Sequence, residues 1–213
     1  MAKSVILDFD GVLVDSFASV YKIYKVIGKK LKVSIPPSKK ALGDSFAGDY
    51  RELFMKIGIR TRKQAERAVD IFRKYSSKYP GMKRLFPGVR TLLKTLRRMG
   101  YRIGIVSNNY QDHIERTLKE IGIRKHIDVV VGVNGLKRMK PDPAQIFRCM
   151  KKLGSTPEET VYVGDMEVDV LAAKAAGVRM VAATYGVHSE ERLSRFNPDF
   201  MVGSPREILN VVN

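Results

Sequence analysis

The 213-residue chain has no tryptophan, one cysteine and three histidines. A single cysteine, Cys149, excludes an internal disulfide and any zinc site built from several thiolates. The histidines, His113, His126 and His188, show no metal-ligand spacing. Cys149 sits in an apolar helical stretch, residues 145–150, where a buried and inert thiol is expected. Long hydrophobic runs are missing too. Val5-Ile6-Leu7 is broken by Asp8, too soon for a secretory signal, and no run approaches the ~18 apolar residues of a membrane span. No membrane partner is expected, and the cytoplasm is the expected location. Acidic residues are scarce: 22 Asp+Glu against 39 Lys+Arg leave a formal charge of +17. That balance attracts anions, whether phosphate esters, nucleic acid or acidic membrane, and says nothing about fold. With 44% hydrophobic and 29% charged residues, the chain is neither disordered nor fibrous and has material for a full core.

Short apolar runs recur along the sequence: Val5-Ile6-Leu7, Ile103-Gly104-Ile105-Val106, Val129-Val130-Val131, Val161-Tyr162-Val163, Met180-Val181-Ala182 and Phe200-Met201-Val202. They are continuous rather than alternating, as suits strands buried on both faces of a parallel sheet. Helical stripes lie between them, among them Leu92/Leu93/Leu96, Ile114/Leu118/Ile121, Ile146/Met150/Leu153 and Val168/Leu171/Ala172/Ala175, each followed by a glycine. Strand–helix alternation of this kind predicts an α/β fold with a doubly wound, Rossmann-like parallel sheet. Residues 17–82 break the alternation. They show helical periodicity only, and a stretch of about 65 residues is too long for a loop. The expected division is a core of residues 1–16 and 83–213 with a helical insertion, residues 17–82, placed as a cap after the first strand. The methionines fall largely on helical stripes and are expected in the core.

In an open α/β sheet the site lies at the carboxyl ends of the strands. The first strand ends in Asp8-Phe9-Asp10-Gly11, whose alternate carboxylates share a side. The second ends in Val106-Ser107-Asn108-Asn109. Lys140-Pro141-Asp142-Pro143 precedes a helix, and Gly164-Asp165 closes the fourth strand with Asp169 four residues on. In this order the four elements resemble those of the haloacid dehalogenase superfamily, in its phosphatase branch. Asp10-Gly11-Val12-Leu13-Val14-Asp15-Ser16 and the helical insertion after it are similar to the phosphoglycolate phosphatase-like group.

The resemblance implies a phosphoric monoester hydrolase with Asp8 as nucleophile, forming an aspartyl-phosphate, and Asp10 as general acid and base. Ser107 and Asn108 would donate to phosphoryl oxygens and Lys140 would neutralise them. Mg²⁺ would be held by Asp8, the Asp10 backbone carbonyl and Asp165, with Asp169 supporting the metal from behind. Met166 departs from the family pattern, in which a hydroxyl residue commonly follows the aspartate. Asp10 argues against the dehalogenases and the phosphonate-cleaving members, which lack an aspartate there.

Blander readings exist for each piece. Ser107 could cap a helix, Lys140 could be a solvated lysine, Asp165 could serve a turn and Asp169 could be an exposed acid at a helix start. The expected partner is a small phosphorylated metabolite. A sugar-phosphate mutase of the same superfamily is one alternative; those enzymes carry a histidine where this chain has Val20. A basic nucleic-acid-binding protein that retains the fold is another, suggested by clusters such as Lys22/Lys25/Lys29/Lys30 and Arg60/Arg62/Lys63/Arg67. Solvated helix faces explain most of those charges, so nucleic acid is not expected as a partner. Specificity is expected in the insertion, with Arg51 and a Gly43-Asp44-Ser45 turn as candidates.

Overall fold

The computed structural model describes residues 3–45, 50–78, 84–134 and 138–212. The chain opens with β1 (Ser4–Leu7) and β2 (Val14–Asp15). Four helices follow: α1 (Phe17–Leu31), α2 (Lys39–Ser45), α3 (Tyr50–Lys56) and α4 (Arg62–Lys78). Then β3 (Arg84–Leu85) pairs with β2 in a two-stranded ribbon. Strand and helix alternate from there: α5 (Val89–Arg98), β4 (Arg102–Val106), α6 (Gln111–Glu120), β5 (Val129–Val131), α7 (Ala144–Leu153), β6 (Thr160–Gly164), α8 (Glu167–Ala176), β7 (Arg179–Ala183), α9 (Glu190–Ser194) and β8 (Phe200–Val202). Two compact units result: Met1–Asp15 with Leu85–Asn213, and Ser16–Arg84.

The first unit holds a six-stranded sheet in the order β5-β4-β1-β6-β7-β8, parallel throughout. Its central strand is β1, hydrogen-bonded to β4 on one side and β6 on the other. Successive side chains face opposite layers. Val5 and Leu7 join Ile103, Ile105, Leu92 and Leu118 in the layer of α5 and α6. Ile6 joins Tyr162, Ile146, Cys149 and Ala173 in the layer of α7 and α8. Both layers are apolar, which is why the strand sequences run continuously hydrophobic. The sheet is therefore doubly wound, as the alternation predicts. Chain order reverses direction across the sheet between β1 and β6, leaving a crevice at their carboxyl ends.

The second unit is helical. Ile23, Tyr24 and Ile27 of α1 pack with Leu42, Leu53 and Ala68 in a core of its own, and the Tyr24 and Phe72 rings meet edge to face at 6.2 Å. Gly43-Asp44-Ser45 is not a turn; it is the last part of α2. The Ser38 hydroxyl accepts from the Ala41 amide and starts the helix, and the Ser45 hydroxyl donates back to the Ala41 carbonyl at 2.7 Å, so the polar residues are absorbed locally. The Arg51 side chain lies outside the described residues.

The methionine expectation also fails in part. Among the described residues Met150 and Met180 are buried, whereas Met55, Met99 and Met201 are exposed. Met99 lies beyond the last buried leucine of α5, Leu96, and Met201 on the sheet's edge strand, where a helical stripe has no meaning.

Cys149 is fully buried, and burial pushes its thiol up to about 12. It fills the space that a side chain on Gly104 would need: a Cβ there would lie 2.4 Å from Sγ. Gly104→Ala should therefore destabilise the core by about 1–3 kcal/mol. Adding Cys149→Ala should recover part of that loss, a coupling that chemical denaturation of the single and double variants measures. Strictly additive losses would show that β4 and α7 do not meet through this contact.

Candidate active site

Asp8 continues β1 beyond Leu7, its amide bonded to the Val163 carbonyl at 2.8 Å. One carboxylate oxygen, Oδ1, accepts from the Phe9 amide at 2.7 Å and faces the Lys140 ammonium at 3.0 Å. Burial drives the Asp8 carboxyl up to about 7 despite that ammonium, with the Asp169 charge pushing the same way.

Lys140 is not solvated: 3% of it is exposed. Its ammonium donates to Asp169 Oδ1 at 2.6 Å and to the Tyr162 hydroxyl at 3.1 Å besides meeting Asp8, which uses all three of its protons. Burial opposes the positive charge, but Asp169 and Asp8 outweigh it and hold the group above the ordinary lysine range. Its backbone is clamped too. The amide donates to Asn108 Oδ1 and Gln145 Oε1, and the carbonyl accepts from Asn108 Nδ2 at 3.1 Å. Gln145 in turn donates to the Ser107 carbonyl at 2.8 Å.

Asp165 and Asp169 flank the start of α8, and both are fully buried. Asp169 is not an exposed acid. Besides Lys140, its Oδ1 accepts from the Tyr162 hydroxyl, and its Oδ2 accepts from the amides of Asp165 and Met166. Asp165 is less satisfied. Oδ2 accepts from the Val187 amide at 2.7 Å, whereas Oδ1 has no hydrogen-bond partner. Burial, then the Asp169 and Asp8 charges, holds its carboxyl well above the usual carboxylate range. The backbone fits closely around it. Gly11 has φ +87°, and a Cβ there would fall 2.0 Å from the carboxylate; one on Gly186 would fall 2.4 Å away. Only glycine allows both approaches.

Ligand oxygens of Asp8, Asp165 and Asp169 lie within 4.8 Å of one another. Three buried carboxylates face one ammonium, and one carboxylate oxygen is orphaned. This donor set, all oxygen, fits a hard divalent cation.

The remaining expected residues belong to the same strand ends. Asp10 follows at the turn, its Oδ2 accepting from Asn109 Nδ2 at 3.1 Å. Ser107 is buried, its hydroxyl accepting from the Asn109 amide at 3.2 Å. Asn108 does more than the sequence implied, because its carboxamide holds the Lys140 backbone by both ends. Three contributors escaped the sequence reading: Asn109, Gln145 and Tyr162. Gln145 left a signal, as a polar residue in the otherwise apolar buried stripe of α7. Asn109 left only its place beside Asn108, and Tyr162 looked like any strand aromatic.

A family model described as haloacid dehalogenase-like hydrolase matches residues 5–183, which include Asp8, Asp10, Ser107, Asn108, Lys140, Asp165 and Asp169. The chain belongs to that family. Among relatives of this hydrolase, phosphoglycolate phosphatase 1 of Pseudomonas aeruginosa is 29% identical over 98% of the chain and 79% of that protein. Pyrophosphatase PpaX of Halalkalibacterium halodurans is 26% identical over 99% of the chain and 96% of that protein. In fold, a haloacid dehalogenase-like hydrolase from Streptococcus pneumoniae superposes with a TM-score of 0.87 at 24% identity, covering 100% of this chain and 99% of the other. Within its family the hydrolase thus groups with proteins named as phosphatases.

A cation that binds the folded hydrolase alone should raise its melting temperature. At a concentration hundredfold above Kd the gain is about 2.7 kcal/mol, or roughly 5–10 °C for a chain of this size. Melting curves with Mg²⁺, Mn²⁺ and Ca²⁺ measure it, and Asp165→Asn should abolish the shift while melting no lower than the parent without metal. A full shift retained in that variant would remove Asp165 from the cation site.

Proposed function

We propose that this hydrolase is a Mg²⁺-dependent phosphatase of small phosphomonoesters that works through an aspartyl-phosphate on Asp8. The observation that carries the reading is the buried constellation of Asp8, Lys140, Asp169 and Asp165 at the crevice between β1 and β6. Its Lys140 ammonium lies 3.0 Å from Asp8 Oδ1, where it favours the ionised nucleophile and would offset charge on a phosphoryl group beside it. Relatives named phosphoglycolate phosphatase and pyrophosphatase support phosphate esters or anhydrides as the substrate class.

Asp8, the Asp10 backbone carbonyl and Asp165 would hold the metal, with Asp169 positioning Lys140 and the Asp165 backbone. The bound ion would offset charge between carboxylate and phosphate and orient the ester. An Asp8 oxygen attacks phosphorus, and the P–O bond to the leaving group breaks as the acyl phosphate forms. Asp10, oriented by Asn109, protonates the departing alkoxide. It then takes a proton from the water that attacks the acyl phosphate, which releases inorganic phosphate, restores the Asp8 carboxylate and returns Asp10 to its protonated form. Ser107 and one Asn108 N–H would donate to the phosphoryl oxygens.

Asp8→Asn should abolish turnover of a panel of phosphorylated metabolites with Mg²⁺ while the circular dichroism spectrum stays native, because an amide forms no stable acyl phosphate. Multiple turnover by that variant would exclude the nucleophile. Asp10→Asn separates the second carboxylate: phosphorylation by alkyl phosphates should slow by about 10²–10⁴-fold, and by activated aryl phosphates much less. Equal losses for both would exclude Asp10 as the acid.

A further inference from the structure

The solvent face of α5 carries no acid. Val89, Leu92, Leu93 and Leu96 are buried, and what remains on the outside is Arg90, Thr91, Lys94, Arg97 and Arg98, with Thr95 half-buried. Cations in the last turn are common because they complement the helix dipole. That accounts for Arg97 and Arg98, and Arg90 donates to the Ile121 and Gly122 carbonyls at the end of α6; Lys94 has neither explanation. Charged surface helices usually pair opposite signs four residues apart, and α5 has none. Instead Lys94, Arg97, Arg98 and His126 line an open groove of about 490 Å³ together with Thr91 and Thr95. Arg97 is held by both oxygens of Asp128 at 2.7 and 2.8 Å. Arg90, Lys94, Arg98 and Lys125 have no carboxylate partner among the described residues. His126 registers the local field. Partial burial and the charges of Lys125, Lys94, Arg97 and Arg90 all make it harder to protonate than an ordinary histidine.

Against the expectation drawn from the sequence, which weighed only the basic helices of residues 17–82, we propose that the α5 face and the adjoining turn at residues 124–126 form a second, non-catalytic binding surface for the phosphate backbone of a nucleic-acid duplex. Helical rise sets Arg90, Lys94 and Arg98 about 6 Å apart along the axis, a row rather than a pocket. An open row suits an extended polyanion, whereas a small metabolite needs convergent walls. Arginine, lysine and threonine hydroxyls are the side chains that contact phosphates. No aromatic side chain lines the groove, which disfavours single strands, since these bind by stacking their bases. The groove lies beyond the amino end of β4, and Ser107 follows its carboxyl end about 16 Å away along the strand. Binding there leaves the hydrolase site open.

The test measures anisotropy of a labelled mixed-sequence DNA duplex of two helical turns, titrated with the full-length protein. Four cations without a carboxylate partner predict a log–log salt slope of about −3.6, or roughly 100-fold weaker binding between 50 and 200 mM salt. Lys94→Glu with Arg98→Glu should weaken binding at least tenfold and flatten the slope by about two, with p-nitrophenyl phosphate hydrolysis unchanged. The control reverses the same charge elsewhere, at the exposed Lys63 and Arg67 of α4, and should cost less than threefold. Equal losses in the two variants would reduce the effect to net charge and overturn the proposal. So would tighter binding to the matching single strand, to polyglutamate or to anionic phospholipid vesicles than to the duplex, or no measurable binding at 50 mM salt.

Discussion

One buried ammonium organises this molecule. Lys140 brings a positive charge into a space closed to water, where it is tolerable only because Asp8 and Asp169 meet it and Tyr162 takes its third proton. A charge buried without partners costs several kcal/mol, so each partner has to be where it is. Asp169 must reach back from α8, Asp8 must extend β1, and the Lys140 backbone must be fixed by Asn108 and Gln145. The result is an electrostatic frame made from four distant parts of the sequence. One carboxylate oxygen of the cluster, Asp165 Oδ1, is left without a hydrogen-bond partner.

The sheet is the device that gathers these parts. With β1 between β4 and β6, strand ends separated by about a hundred residues or more in sequence finish side by side. A parallel sheet covered by helices on both faces directs all of those ends one way. Chemistry then collects at one edge of the first unit. The opposite edge, where helices close and strands begin, is free to carry unrelated features such as the basic face of α5.

Much of this was legible beforehand. The six main strands could be read because burial on both faces leaves continuous β-branched runs, as in Val129-Val130-Val131. The motif residues could be read because their order and chain positions match a family, although singly Lys140 and Asp169 look like surface residues. Roles that depend on geometry could not be read. Nothing in the sequence says that Asn108 spends its carboxamide on the Lys140 backbone, or that the Tyr162 hydroxyl belongs to the charged cluster rather than to the apolar layer. Local polar chemistry misled in α2, where Gly43-Asp44-Ser45 has turn composition but the Ser45 hydroxyl satisfies the helix carbonyl of Ala41. Methionine misled because it suits exposed and buried positions alike. Periodicity cannot show that Met99 lies past the end of the buried stripe.

The central place of β1 also sets a timetable. Its hydrogen-bonding edges await residues 102–105 on one side and 160–163 on the other. The second partner lies 156 residues downstream, and at cellular elongation rates of about 5–20 residues per second that is roughly 8–30 s of synthesis. Over that interval the helical unit can form from local contacts, which are quick to close. The strand that ends in Asp8 meanwhile stays an apolar segment with open edges, the kind of segment prone to mispairing with other chains. The nascent chain therefore makes its most important strand first and secures it last. Its yield in the cell would depend on whatever shields Val5-Ile6-Leu7 until Thr160–Gly164 has left the ribosome.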